Sequence, residues 1–543
     1  MEARVRWLIL CAALLLGTYL RLQDLGELAL FGDENHSLRQ ASEPLGVLLT
    51  QFDTLGSHVV LPLVQHFSMQ VFGPGLWALR LVALLPGLLT LYLIYPLGKS
   101  LVGRTPALLA SLALALSPMH IYYSQFARSY ALSALLGMLL VFFLARALEA
   151  KPEARRDWIL SFVIAGLLPY VHLSSAGFVG LAALVSIGCA WKRAGKLQAA
   201  LWPLFGFGLA LALCLAAYAP VWDQVQFYLN EAMPESQKKH PSGLAGIVIL
   251  LAGGSVQALL MLVMLPLGLL GLARKRTAAA LLIAATIAGP VLALLITRPH
   301  GMEYAYARYL LTALPFLPML MAWLLYALAK RLVQSEGTAS LACLLLGVLG
   351  IGLGFFQGPA WGPRPASPVF NNSYLALHAL PAFDAPWSGA PDFYAQLALD
   401  PSVERIVEYP PLQTRAVLYY RQLALQHGKQ VLLGWPKQPL PGMGPSVYVS
   451  MDSVSARDAD YIILHRDPAA EVRAYWKFVY AQAGPEEGWG LETGFLKRHR
   501  SHWADQQVLN RVDFLANEAA QLRERLGPAL YKDSKLLVWK LAP

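Results

Sequence analysis

The sequence predicts a polytopic α-helical membrane protein: about eleven transmembrane helices, further helices on the outer membrane surface, and a soluble C-terminal α/β domain. Three observations carry this. Of 543 residues, 56% are hydrophobic and 14% charged, against roughly 45–50% and about 25% in soluble chains, and the mean hydropathy is +0.48. Apolar runs of spanning length recur as far as residue 357. Beyond that point the pattern changes to short strand and helix signals bounded by turn residues.

The net charge of +10 does not indicate a nucleic-acid partner. Residues 1–357 hold 24 Lys/Arg and 15 Asp/Glu, whereas residues 358–543 hold 19 and 18. The excess sits between apolar runs, where membrane topology explains it. All four cysteines (Cys11, Cys189, Cys214, Cys343) lie in apolar runs, so the polar C-terminal part has no disulfide frame or thiolate metal site.

Candidate spans lie near 6–22, 77–98, 105–121, 130–148, 157–172, 174–191, 200–221, 245–272, 277–297, 309–329 and 338–357. The first follows Arg4 and Arg6 and lacks a small-residue cleavage site, so it reads as a retained anchor. With the N-terminus inside, 16 of the 24 basic residues of this region fall in short inner loops, as the positive-inside bias requires. Eleven spans then put the C-terminal domain outside. Residues 58–73 are apolar but carry His58, Gln65, His66, Ser68 and Gln70, which suits an amphipathic helix on the outer surface. Counting them as a span would invert every later basic loop.

The outer loops then collect the polar residues. The first holds Asp33, Glu34 and His36, and the second Tyr122, Tyr123, Gln125, Arg128 and Tyr130. The third is the turn at Tyr170-Val-His172, the fourth holds Asp223, Glu231 and Glu235, and the last holds Arg298, His300, Glu303, Tyr304 and Arg308. Each has an ordinary reading. Asp33-Glu34 could solvate a loop or cap a helix, Arg128 and Arg308 could anchor headgroups, and the tyrosines could be interfacial aromatics. Their concentration on one face points to a shared cavity.

As an ordered set these residues resemble the GT-C fold membrane glycosyltransferases that use polyprenyl-phosphate sugars, the group of the protein O-mannosyltransferases and the aminoarabinose transferase. The likeness rests on Asp33-Glu34, residues 58–80, Ser117-Pro-Met-His-Ile-Tyr-Tyr-Ser-Gln-Phe-Ala-Arg128-Ser-Tyr130 and Tyr170-Val-His172, with Arg308-Tyr309 fitting more loosely. It covers roughly residues 1–330. The sequence departs at His58-Val-Val-Leu, where relatives commonly have His-Pro-Pro-Leu. It departs again at Gln125-Phe-Ala-Arg128, where an acidic residue often precedes the arginine.

The resemblance implies transfer of one sugar from a lipid phosphate to an acceptor hydroxyl or amine. It makes Asp33 the general base, with Glu34 assisting. Arg128 and Arg308 would bind the donor phosphate in two-pronged geometry, with His58, His172 and His300 as further candidates. His36, Gln125, Tyr130 and Tyr304 would position substrate. The wider fold admits a divalent cation. Without a second carboxylate in the Arg128 loop, no metal is expected to be required. The implied partners are the donor lipid, membrane lipids and a glycan, lipid or protein acceptor.

The two domains are drawn at 1–357 and 358–543, the Pro/Gly-rich stretch from Gly358 being the linker. Strand-like runs lie at 404–409, 430–434, 446–450, 461–464 and 535–539, and helical patterns near 413–427, 468–483 and 503–526. No nucleotide motif accompanies them. Two other readings remain in play. A lipid-linked glycan polymerase or ligase should carry a larger arginine-rich outer loop late in the chain. A transporter or flippase should show internal repeats and mid-membrane polar groups. A multi-pass protein of the bacterial inner (plasma) membrane, N-terminus cytoplasmic and C-terminal domain extracytoplasmic, is expected.

Overall fold

The computed structural model describes residues 3–23, 25, 34–50, 52, 59–73, 75–149, 155–232, 244–297, 306–333, 335–357, 389–410, 419–420, 423–424, 427–435, 448–468, 470–471, 474 and 512–541. Its principal helices are α1 Ala3–Leu22, α2 Glu34–Ala41, α3 Val60–Phe72, α4 Leu76–Val102, α5 Arg104–Ala115, α6 Pro118–Gln125, α7 Tyr130–Glu149, α8 Arg155–Val171, α9 Ala176–Ala194, α10 Gln198–Tyr218, α11 Leu244–Ala252, α12 Ser255–Ala273, α13 Thr277–Thr297, α14 Phe316–Leu332 and α15 Glu336–Gln357. The C-terminal part adds α16 Asp392–Leu399, β1 Arg405–Tyr409, β2 Gln430–Trp435, β3 Tyr448–Ser450, β4 Tyr461–His465, α17 Val512–Leu526, β5 Tyr531–Lys532 and β6 Leu536–Lys540.

Every apolar run holds a helix, but the ends differ for local reasons. Among the described residues, seven helices are long and apolar enough to cross a membrane, or eight if α5 and α6 form one bent span. The run at 105–121 breaks by 57° because Pro118 has no N–H to donate back into α5. It starts α6 instead, with the Ser117 side chain accepting from His120 N. The run at 245–272 breaks at Gly253, whose φ of +88° is costly for other residues. The run at 309–329 begins its helix only after Pro315. Helix α3 has 13 residues, about 20 Å of rise, too short to cross a core of about 30 Å.

The chain resolves into two compact units. The first comprises Met1–Leu25, Glu43–His66 and Arg80–Ala379; the second comprises Gly26–Ser42, Phe67–Leu79 and Leu380–Pro543. The linker expected from Gly358 lies outside the described residues.

In the first unit, contacts between loops bear directly on the threading. Arg146 pairs with Asp157 at 3.0 Å and Arg276 with Glu149 at 3.4 Å. Arg276 also donates to the Ser100 carbonyl, and Arg193 to that of Leu148. These basic loops thus meet at one end of the unit. From predicted outer segments, Gln224 accepts from Phe52 N (2.8 Å) and donates to the Thr50 carbonyl (2.9 Å). Small residues set the close crossings. A Cβ on Gly177 would stand 2.5 Å from the Gly289 carbonyl oxygen, so α9 and α13 touch backbone to backbone.

The second unit contains a six-stranded sheet in the order β3-β2-β1-β4-β6-β5. Strands β3, β2, β1 and β4 run parallel, and β6 pairs antiparallel with β4. Period-two alternation gives the sheet two different faces. Val407, Tyr409, Leu432, Val449, Ile462, Leu464 and Trp539 pack with Leu515 and Leu522 of α17. Glu408 and His465 alternate with that set and are fully buried on the other face. His465 Nε2 meets Glu408 at 2.7 Å and Nδ1 meets Glu471 at 2.9 Å. Tyr394 of α16 donates to Glu408 (2.8 Å), and Tyr419 donates to Glu471. Sequence reading placed five strands and missed β5, α16 and this network. The helical patterns at 413–427, 468–483 and 503–526 lie partly outside the described residues.

Burial alone would lower the His465 pKa, but the Glu471 and Glu408 carboxylates outweigh it and hold it up at about 10. Burial and the same carboxylates push the Tyr394, Tyr419 and Tyr420 hydroxyls well above their usual value. A folded-state pKa raised above the unfolded one gives stability that is present in full below the unfolded pKa and lost as pH rises through the folded pKa. Amide exchange of β1 and β4 in the full chain, expressed as protection factors, should therefore be highest below pH 6.5, fall progressively as pH rises from 6.5 to about 10, and level off above that. His465→Gln, which leaves buried carboxylates uncompensated, should cost about 3–5 kcal/mol at neutral pH.

Candidate active site

The first unit assembles its cluster from three stretches far apart in sequence. Helix α6 is buried along its whole length and delivers the chain into a tight turn, where Arg128 N bonds the Phe126 carbonyl at 2.6 Å. Gln65 from α3 donates to the Ala127 carbonyl at 3.0 Å and fixes the peptide just before Arg128. Arg128 is 3% exposed. The polar groups of α3 at 58–73 were read as marking a surface helix; Gln65 and Ser68 are buried.

Tyr130 opens α7, His172 caps the 3-10 turn Leu173–Ser175, and Arg308 and Tyr309 form the 3-10 turn Arg308–Leu310. Their rings close a triangle: Tyr130 to His172 5.0 Å, His172 to Tyr309 5.7 Å and Tyr130 to Tyr309 6.5 Å between centroids. The Arg308 guanidinium lies over the Tyr130 and Tyr309 rings at 5.5 and 5.2 Å, a cation–π arrangement. Tyr122 and Tyr123, which the sequence suggests as interfacial aromatics, are buried beside this triangle, with Tyr123 5.0 Å from Tyr130. Aromatic residues at a span end have the same composition signal in either place; only packing separates them.

Burial and then the charges of Arg128 and Arg308 lower the pKa of His172, in its turn between α8 and α9, to about 3. The imidazole is therefore neutral at physiological pH, with Ser174 Oγ 2.7 Å from Nδ1. Two cations converge here against one neutral ring. Such a cluster attracts an anion and stabilises charge developing on it, and a planar guanidinium suits phosphate oxygens.

The remaining predicted site residues fall differently. Gln125 donates to the carbonyls of Gln23 (2.7 Å) and Leu20 (3.4 Å), so its amide secures the end of α1. In the second unit Glu34 begins α2 and is buried, a favourable place for a carboxylate on the helix dipole; His36 lies two residues further, half-buried. Asp33, His58, His300 and Tyr304 lie outside the described residues, as do Arg298, Glu303 and Glu235. No group of three His, Cys, Asp or Glu residues able to hold a metal ion occurs among the described residues. Sequence reading missed Arg21, His120 and Gln65 as a connected set. An arginine closing an apolar span was the available signal.

Residues 58–222, less than a third of the chain, match the family described as dolichyl-phosphate-mannose-protein mannosyltransferase. No curated protein matches significantly. Among solved structures, ArnT from Cupriavidus metallidurans in the apo state is similar at 16% identity over 87% of this chain and 95% of that one, with a TM-score of 0.49. The same protein bound to undecaprenyl phosphate gives 15% over the same shares, with a TM-score of 0.49. The oligosaccharyltransferase AglB from Archaeoglobus fulgidus, in complex with an inhibitory peptide and a dolichol-phosphate, gives 10% over 87% and 72%, with a TM-score of 0.41.

The His172 environment makes a spectroscopic prediction. Histidine NMR of the wild type should show no His172 titration between pH 5 and 8, because its pKa of about 3 lies well below. Arg128→Ala, which removes one of the two cations, should raise that pKa. A wild-type midpoint near 6.5 would contradict the assigned cluster.

Proposed function

We propose that this chain is a GT-C membrane glycosyltransferase that uses a polyprenyl-phosphate-linked sugar, a reading supported by the family match over residues 58–222. One sugar passes from a polyprenyl-phosphate donor to an acceptor hydroxyl or amine at the extracytoplasmic face of the inner membrane. Asp33 takes the acceptor's proton, with Glu34 assisting. The acceptor atom forms its bond to the anomeric carbon as the bond from that carbon to the phosphate oxygen breaks. Polyprenyl phosphate leaves with the electron pair of the broken bond. Arg128 and Arg308 bind the phosphate and stabilise the growing charge, while neutral His172 and Tyr130 shape the same pocket.

The observation that carries this reading is the convergence of Arg128 and Arg308 on the ring triangle of Tyr130, His172 and Tyr309. A polymerase or ligase would use the same cations on a diphosphate, so donor class is the discriminating measurement. The acceptor, whether glycan, lipid or protein, is the least constrained element. Domain 358–543 we assign to positioning it.

Membranes enriched in the protein, incubated with a panel of radiolabelled polyprenyl-phosphate sugars, test this. Wild type should consume one donor, and Asp33→Asn should abolish transfer while the purified protein keeps its fold. Wild-type turnover in that variant removes Asp33 from the mechanism. Arg128→Ala and Arg308→Ala should each lower turnover about 10²–10³-fold, the effect of losing one donor to a developing oxyanion. Transfer should also persist after exhaustive chelation; activity restored only by an added divalent cation would show that a metal takes part.

A further inference from the structure

Arg21, the last basic residue of α1, is wholly buried, and its ion-pair partners among the described residues are none. A guanidinium in that setting needs acceptors on every side. Its Nη1 donates to the carbonyls of Gly17 (2.6 Å) and Ala115 (3.1 Å), and its Nη2 to that of Leu114 (2.9 Å) and to His120 Nδ1 (2.8 Å). Leu114 and Ala115 end α5, where the dipole is negative and Pro118 has no N–H to offer the Leu114 carbonyl, which accepts from Ser117 N at 3.2 Å instead. His120 belongs to α6. One side chain therefore grips both sides of the 57° break between these helices. Arginine can only donate, so His120 Nδ1 is the acceptor and its proton sits on Nε2.

The far end of α6 returns to the same place. Gln125 donates to the Gln23 and Leu20 carbonyls at the end of α1. Beside Gln125, Ser124 fills the space above Gly87 of α4, where a Cβ would fall 2.2 Å from Ser124 Oγ. Helix α6 is thus a short buried rod pinned at both ends to α1 and seated on α4. Arg128 lies three residues beyond it. The angle of the rod sets where that guanidinium stands.

We propose that Arg21 and His120 are positioning residues for the Arg128 anion site: their bond across the α5–α6 break holds α6 at the angle that aims Arg128. This rests on reading Arg128 as a ligand of the donor phosphate. Neither residue touches the substrate. Both act through the rod.

The test is binding of undecaprenyl phosphate to the full chain in nanodiscs, recording both affinity and the number of sites per folded molecule. His120→Leu removes the acceptor and should raise Kd about tenfold, an order of magnitude in the equilibrium constant, with one site per molecule retained. His120→Gln offers an oxygen to the same N–H and should return Kd to within about threefold of wild type. A purely stabilising role would lower the number of binding-competent molecules and leave Kd unchanged, which overturns the proposal. If His120→Leu does not fold, His120→Asn, polar but too short to reach Arg21, carries the same comparison. Absence of binding to wild type would bring down the phosphate reading and this proposal together. Wild-type binding lost in Arg128→Ala but unchanged in His120→Leu would bring down the positioning role alone.

Discussion

The first unit depends on how a buried positive charge is satisfied where no carboxylate among the described residues meets it. A guanidinium withdrawn from water costs several kcal/mol unless its donors are met, and the two terminal nitrogens of Arg21 are met by three helix carbonyls and an imidazole nitrogen, while its Nε is buried with no hydrogen-bond partner among the described residues. The arrangement arises where a proline breaks the apolar run at 118 and the end of α5 turns its Leu114 and Ala115 carbonyls to the arginine. Charge, helix end and break form one structural joint. The stretch from Ser117 to Tyr130 takes its course from that joint, and the turn that carries Arg128 belongs to it.

Positive charge is treated in two other ways in the same unit. At one end, Arg146, Arg193 and Arg276 are tied to carboxylates and carbonyls of neighbouring helix ends, which locks adjacent loops together. In the Arg308 cluster the guanidinium is instead supported by aromatic faces. Rings hold a cation in place without neutralising it. That difference separates an arginine tied to helix ends from one seated among aromatic rings.

The second unit solves the opposite problem. Its sheet buries two glutamates, and the imidazole of His465 lies between them with tyrosine hydroxyls supplying further donors. Glu408 and His465 sit at the ends of adjacent parallel strands, so the network ties β1 to β4 and, through Tyr394, to α16. The opposite face, packed against α17, is apolar throughout the buried set. A sheet with one ionic and one apolar face can be covered by its helices in only one way round.

By itself the sequence determined the membrane class, the positions of the apolar helices, the alternation of the basic loops and most strands of the C-terminal sheet. These are carried by hydrophobic period, charge placement and turn residues, all local quantities. It also showed Arg128, His172 and Arg308 as unusual, through their place at span ends. Tertiary structure alone decided that Tyr130, His172 and Tyr309 share one ring cluster, that Gln125 secures a helix end, and that Arg21 joins α1 to the α5–α6 break. Each of those outcomes is a contact between residues tens to hundreds of positions apart. Residue type and spacing along the chain are the same whether an arginine faces headgroups, a phosphate or a helix end; only the partners brought to it by folding distinguish the three.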